Sequence, residues 1–299
     1  MKKVFIVLSA IIISLVSCEK SGTDTSDGTG NYNVDSLGSK ITFQIGDLAT
    51  YPYSDISLYD SSTHILYFRE NHPEFQKLRQ TSFTFYSEGE KVYDGAIWPS
   101  YSSSLPSGPY IATEPLFFQN YALRIDYRKD NQPDLRNDPK IIKSMKDRDL
   151  LHSGLQVTFS SFNINGKFAN LSLVVTNMDK SALYILDPDK MGHKLFHYFT
   201  NGLYLRDLAT SQLTESILEF EPPVVTNAWS KDWLTLLDPQ ESAEFILNYT
   251  FSQAIVPGNY LAVIEYPGLS SQVNLSNLFQ SSGRIWLGDV TAVMKISVH

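Results

Sequence analysis

From Ile41 onward the chain alternates apolar and polar residues with a period of two, and this pattern restricts what it can fold into. Ile41, Phe43 and Ile45 fall on one face and Thr42 and Gln44 on the other, the signature of a strand with one side buried. Runs of the same kind recur at 56–59, 65–69, 83–86, 92–97 and 121–127, and Ser87-Glu88-Gly89-Glu90 supplies a glycine-containing hairpin turn among them. In the second half, 155–162 and 168–177 flank Asn165-Gly166, the pair that best tolerates the positive φ angles of a tight turn. Segments 183–186, 245–251, 260–266 and 285–298 read as further strands. A second hairpin is expected at Asn201-Gly202, with Phe196 and Tyr198 on one arm and Leu203 and Leu205 on the other. Aromatic residues make up 13% of the chain and charged residues only 19%, a balance that suits half-buried pleated surfaces.

One stretch departs from this pattern. Asp138 is placed to cap a helix, with Pro139 at the first helical position where no donor is needed. Ile141, Ile142, Met145 and Leu150 would face a core, Lys143, Lys146 and Arg148 would face water, and Gly154 would stop the helix. The expected fold is all-β: an N-terminal β domain at 41–150, a C-terminal β-sandwich at 151–299 and this short helix near the joint. Residues 101–115, rich in serine, proline and glycine, read as one long loop on the first domain.

The first forty residues have another character. Met1-Lys2-Lys3 is a basic head, and 4–16 is an apolar run too short to span a bilayer, which takes roughly 20 residues, but of signal-peptide length. Leu15-Val16-Ser17-Cys18, ending in the only cysteine of the chain, resembles the lipobox of bacterial lipoproteins. That resemblance implies a signal peptide at 1–17, acylation of Cys18 and a membrane anchor through lipid. Residues 18–40, poor in large apolar side chains, read as a flexible tether. By similarity to Gram-negative sorting rules, Glu19 after the cysteine implies the outer membrane, and leaves open whether the protein faces the cell surface or the periplasm. Asp35-Ser36-Leu37 resembles a short O-glycosylation sequon.

Loss of Lys2 and Lys3 with the leader takes the formal charge from -8 to -10. An acidic body argues against binding the phosphate backbone of nucleic acid. With no cysteine after Cys18, disulfides, thiolate catalysis and cysteine-ligated zinc are excluded from the folded part.

The order Leu-Ser-Leu-Val-Val-Thr-Asn at 171–177, Pro239-Gln240-Glu241-Ser242 before a strand and Pro257-Gly258-Asn259-Tyr260 before another is similar to bacterial immunoglobulin-like modules, including the BsuPI-type proteinase-inhibitor domain. Over 155–268 the resemblance implies an immunoglobulin-like β-sandwich. It implies no activity.

Motifs that carry chemistry are scarce. His193 and His197 have the spacing of zinc ligands on a helix, but on the expected hairpin arm they would lie about 13 Å apart. Asp187 to Gly192 imitates the opening of a calcium loop, with Met191 where an oxygen ligand is required. Asp130, Asn131, Asp134, Asn137 and Asp138 form an oxygen-rich stretch that reads as a solvated turn before the helix cap. There is no Gly-x-Ser-x-Gly elbow and no phosphate-cradling glycine loop. Carboxylate pairs for glycoside cleavage leave no fixed spacing to find. What remains is aromatic: Trp98 and Tyr101 beside the serine-proline loop, and Trp229 and Trp233 in the connection before Leu236. Such side chains stack on sugar rings or anchor protein partners. The sequence therefore leads to a lipid-anchored envelope protein, without cofactor, metal or catalytic residues, that binds a protein or glycan. A structural or assembly subunit of an outer-membrane or pilus-like complex is the alternative, and a hydrolase the third reading.

Overall fold

The computed structural model describes residues 41–104, 106–114, 116–128, 133–225 and 228–299. The leader, Cys18 and the tether lie outside them. The first half carries β1 (Ile41–Ile45), β2 (Ala49–Pro52), β3 (Ile56–Asp60), β4 (Ile65–Phe68), β5 (Thr81–Ser87), β6 (Glu90–Pro99), β7 (Gly108–Thr113), β8 (Ala122–Arg124) and β9 (Asp126–Arg128), then helix α1 (Pro139–Asp147) and β10 (Leu151–His152). They form a six-stranded sheet, β2-β1-β5-β6-β7-β9, and a four-stranded one, β10-β3-β4-β8.

One core, drawn wholly from this half, joins the two sheets to α1 through Phe43, Phe83, Phe85, Tyr59, Phe68 and Met145. Phe43 and Phe83 have ring centroids 5.3 Å apart. Gly95 of β6 makes room for them, since a Cβ there would sit 2.2 Å from the Phe83 ring. The β5–β6 hairpin turns on Glu88 and Gly89, both with positive φ (52° and 80°), as a two-residue turn between twisted strands requires.

The expected loop at 101–115 is shorter than its composition suggests. Gly108–Thr113 is a strand, parallel to β6 with Trp98 opposite Ala112, and it buries Ile111. The expected strand at 121–127 is two strands in different sheets, because the chain crosses at buried Ile125, whose amide donates to His64 O (3.0 Å). Helix α1 starts as expected, with the Asp138 carboxylate accepting the Lys140 amide (2.8 Å). It ends at Asp147, not at Gly154, and Asp149, at φ 59°, turns the chain into β10.

The second half comprises β11 (Leu155–Asn165), β12 (Phe168–Asn177), β13 (Leu183–Leu186), α2 (Pro188–Met191), α3 (His193–Tyr198), β14 (Leu203–Asp207), β15 (Leu213–Ile217), β16 (Leu234–Leu237), β17 (Ser242–Phe251), β18 (Gly258–Pro267), α4 (Leu275–Leu278), β19 (Phe279–Gln280), β20 (Gly283–Ile285) and β21 (Asp289–Val298). Seven strands make one sheet, β11-β12-β17-β15-β14-β18-β21, whose edge strands β11 and β21 curl back toward one another. A smaller sheet, β16-β13-β20-β19, shares a core with its inner face. The β11–β12 hairpin turns at Gly166, as the sequence predicts.

Two expectations fail here. The arm containing Phe196 and Tyr198 is helical: Gly192, at φ 82°, turns the chain out of α2 and opens α3, where the Phe196 amide donates back to Gly192 O (3.0 Å). Asp187 and Pro188 start α2 just before it, by the same Asp-Pro signal that starts α1. Strand β14 pairs with β15 and β18 instead. The run 285–298 is also broken: Gly288, at φ 99°, separates β20, parallel to β13, from β21, antiparallel to β18. The result is an all-β, multi-sheet, sandwich-like fold with short helices at its connections.

The second core takes Leu58, Ile65, Tyr67, Phe118 and Tyr121 from the first half, and beside Tyr67 lies a buried ionic cluster. Arg284 of β20, 2% exposed, donates from Nη2 to Asp60 Oδ2 (2.9 Å) and Asp179 Oδ2 (3.1 Å). Asp60 also accepts from the Ser62 amide (3.0 Å) and hydroxyl (2.7 Å), and Asp179 lies 2.8 Å from His152 Nδ1. The guanidinium covers the Tyr67 ring at 5.4 Å. Burial alone would raise the Asp179 carboxyl, but the hydrogen bond from His152 and the charge of Arg284 hold it well below the usual range. Here Gly154 has its role: at φ 62° it passes so close that a Cβ would stand 2.0 Å from Ser62 Oγ.

Replacing Arg284 with Met leaves two carboxylates buried without their cation and is expected to cost about 3–5 kcal/mol, read by urea unfolding. A loss within about 1 kcal/mol would show that the cluster is not what ties these strands together. A second expectation concerns acid. His64 is buried, 2.7 Å from the Tyr59 hydroxyl, and burial, with the nearby charge of Arg136, depresses its pKa to about 4. The unfolded state takes up this proton near pH 6.5 and the folded state does not. Stability is therefore complete above that pH and falls toward pH 4 by about 1.4 kcal/mol per unit. His64→Asn, which tolerates the left-handed φ of 55°, should flatten this slope in urea titrations at several pH values. An unchanged slope would assign the acid lability elsewhere.

Candidate functional site

The outward face of β6 presents Trp98, since Tyr93 and Ile97 point into the core. Its indole N–H donates to Ser104 O (2.7 Å), which draws the loop after β6 back over the strand. The loop is also pinned at its base: the Ser100 amide donates to Thr113 O (2.7 Å) and its hydroxyl to Glu114 O (2.9 Å). Between these ties Tyr101 is 75% exposed, with its hydroxyl donating to Glu114 Oε2 (2.9 Å). Arg79 pairs with the same carboxylate.

Glu114 adopts a left-handed conformation, φ 58°, at a cost of about 1 kcal/mol for a residue with a Cβ. The contacts around it hold it there. Its carboxylate borders a cleft of about 290 Å³ lined also by Gln76, Phe118, Gln119, Asn120 and Ser271. Two segments brought from far apart build the walls. Gln119 Nε2 donates to Ser271 O (2.5 Å), and Tyr121, one turn on, donates to Val273 O (2.7 Å). The third side is the 3-10 turn Pro73–Lys77, tied on by the His72 amide donating to Asn120 O (3.0 Å).

A carboxylate, three carboxamides and a hydroxyl line this small space beside Leu116 and Phe118, and the exposed Tyr101 is bonded to the same carboxylate. Such groups match the hydroxyls of a polyol, each of which both donates and accepts. An exposed ring provides the flat apolar contact that a sugar face needs. The cleft is close to the lower bound, ~300 Å³, of ordinary ligand sites.

Of the aromatic residues singled out from sequence, Tyr101 is bonded to Glu114 of the cleft and Trp98 to the loop that carries Tyr101, and neither lines the cleft itself. Trp229 and Trp233 are half-buried against the second core, with Trp233 at 6.1 Å from the Phe199 ring. Glu114, Gln76, Gln119 and Asn120 escaped the sequence reading. The only signal for Glu114, Gln119 and Asn120 is the density of acid, aromatic and amide residues at 114–120, directly after the serine-proline loop, and Gln76 has none.

The remaining motifs resolve into local structure. His193 and His197 share α3, with ring centroids 6.4 Å apart, not the separation of a strand. His197 Nδ1 lies 3.3 Å from Glu219 O and its ring stacks on Tyr249. Among the described residues no three His, Cys, Asp or Glu side chains group as metal ligands. Asp187 is the cap of α2. Asp134 caps its own turn and grips Arg136, and Asp138 caps α1, while Asp130 and Asn131 lie outside the described residues. Carboxylates do gather around Arg124, which pairs with Asp126 (3.0 Å) and Asp289. Burial raises the carboxyl of Asp126 and that of neighbouring Glu265. Among the described residues no helix is long and apolar enough to cross a membrane.

No family model, curated protein or solved structure matches the chain.

The hydrogen bond from Trp98 makes a checkable claim about order. Trp98→Phe keeps the ring and deletes the donor, so proteolytic cleavage within 99–107 should accelerate several-fold while the melting temperature moves by only a few degrees. Unchanged cleavage would mean that the bond to Ser104 does not order this loop.

Proposed function

We propose that this protein is a lipid-anchored component of a bacterial cell envelope that binds a glycan, without catalysis, in the cleft bordered by Glu114, beside Tyr101. The observation that carries this reading is the exposed Tyr101 held by its hydroxyl on the Glu114 carboxylate, which borders a cleft lined by side-chain amides. One or two sugar units stack on Tyr101 and exchange hydroxyl hydrogen bonds with Glu114, Gln76 and Asn120. Affinity is modest, because so small a cleft buries little of an oligosaccharide. The lipobox at 15–18 supports the anchor, with Cys18 as the acylated residue. A tether of some twenty residues leaves the site free to reach a polymer.

Binding is read by calorimetry against neutral and acidic oligosaccharides prepared from envelope and host polysaccharides. Tyr101→Ala and Glu114→Gln should each weaken binding at least tenfold, and Tyr101→Phe should fall between them and the parent. Retention of full affinity by Tyr101→Ala and Glu114→Gln would remove the cleft from the account. For the anchor, Cys18→Ala should release the protein from membranes, and digestion of the parent by protease added to intact cells would assign it to the outer surface. Membrane retention by Cys18→Ala would contradict lipid anchoring.

A further inference from the structure

The outer surface of the seven-stranded sheet is divided into two unlike halves. Over β11, β12 and β17 its polar side chains are bonded across the strands. Ser160 and Ser172 both donate to Glu244 Oε1 (2.7 and 2.5 Å), Asn170 Nδ2 donates to Asn248 Oδ1 (2.7 Å), and Thr176 and Ser242 pair at 2.8 Å. Phe168 and Ile246, each 58% exposed, stand among these polar groups. Over β15, β14, β18 and β21 such polar bonds lie at the two ends, where Ser297 donates to Asn259 Oδ1 (2.7 Å) and Asn201 Nδ2 to Glu265 Oε2 (3.2 Å), and an apolar band runs between them. The register places Glu215, Tyr204, Val263 and Val293 in one row across the four strands. Leu213, Arg206, Leu261 and Lys295 make the next row, two residues along, and Glu265 and Thr291 continue the face on the other side. Leu213 and Val293 are 54% and 59% exposed. Tyr204, Leu261 and Val263 are half-buried, with no layer of the fold over them. Among the described residues Arg206 and Lys295 have no ion-pair partner.

We infer that this face is the interface of a symmetric dimer, and that its occupant is a second copy of the same chain. The argument is charge complementarity under the symmetry that such dimers use. In an isologous interface every patch meets itself across a two-fold axis. An axis running across the strands along the Tyr204–Val263–Val293 row lays that apolar row on its own copy. It also turns the Arg206/Lys295 row, about 7 Å to one side, over the Glu265/Thr291 row of the other copy, about 7 Å to the opposite side. Because β18 lies between β14 and β21, each Glu265 is flanked by the second copy's Arg206 and Lys295. The two sheets then face each other at about 10 Å, the spacing of a β-sandwich interior. Glu215 stays at the rim on β15, and a single-sign partner such as a polyanion would meet carboxylates as often as cations on this surface. The inference stands apart from the glycan cleft, which is lined by loops and the turn Pro73–Lys77.

Sedimentation equilibrium of the purified full chain over a wide concentration range tests it. The expected result is reversible association to twice the chain mass. Val293→Asp should abolish it, and Arg206→Glu with Lys295→Glu should weaken it at least tenfold. Mixing the Arg206→Glu/Lys295→Glu chain with Glu265→Lys should restore a mixed dimer, a rescue that mere unfolding cannot produce. Thermal melts in the far ultraviolet keep folding in view, and glycan affinity of Val293→Asp should equal that of the parent. A monomer at every concentration, or a dimer indifferent to Val293→Asp and to both charge reversals, would overturn the inference.

Discussion

Arg284 is the point on which the molecule closes. It stands on a three-residue strand, yet its guanidinium holds Asp60 and Asp179, and through Asp179 it reaches His152. Four segments distant in sequence therefore meet at one buried charge. Such a cluster adds little net stability against an apolar replacement of the same volume, since desolvation offsets most of the attraction. Its effect is on specificity: any other arrangement of these strands leaves a carboxylate buried without its cation. Gly154 is required by the same constraint, because only a residue without Cβ lets the chain pass beside Ser62 and Asp60.

The consequences extend to the cleft. Arg284 covers Tyr67, Tyr67 stacks with Tyr121 at 6.5 Å, and Tyr121 bonds the loop that carries Ser271. The walls of the cleft thus rest on the same packed column as the ionic cluster. By contrast, the loop carrying Tyr101 is held by a few hydrogen bonds: Trp98 to Ser104, Ser100 to Glu114, and Tyr101 to Glu114. A rigid wall with a tied but exposed loop is the arrangement in which recognition residues sit when a scaffold positions them. The left-handed Glu114 fits this division, being a strained residue kept in place by its neighbours at the place where a ligand would bind.

Much of the fold is legible in the residues themselves. Period-two alternation marks most strands, Asn165-Gly166 and Glu88-Gly89 mark the tight hairpins, and Asp138-Pro139 marks the helix start. Misreadings fall where two local signals compete. Phe196 and Tyr198 have strand spacing, but they follow a helical turn capped by Asp187, and Gly192, at φ 82°, leads the chain directly into a second helix. Gly108–Thr113 alternates correctly, but the proline and glycine around it suggest a loop. The parallel pairing of β7 with β6 and the crossing at Ile125 are non-local choices, and no window of sequence contains both partners. The candidate site is half legible for the same reason. Trp98 and Tyr101 are conspicuous, whereas Gln76 and Ser271 join them only through folding over nearly two hundred residues.

The proposed function rests on sugar binding at Glu114 and Tyr101. The chain has four tryptophans, and their indole N–H resonances can be followed separately while oligosaccharides are added. Trp98, bonded to the loop that carries Tyr101, should shift in step with saturation, and Trp286, buried in the second core, should stay still. A glycan that binds with Trp98 unmoved, or that moves only Trp229 and Trp233, would contradict the account and put recognition on another surface.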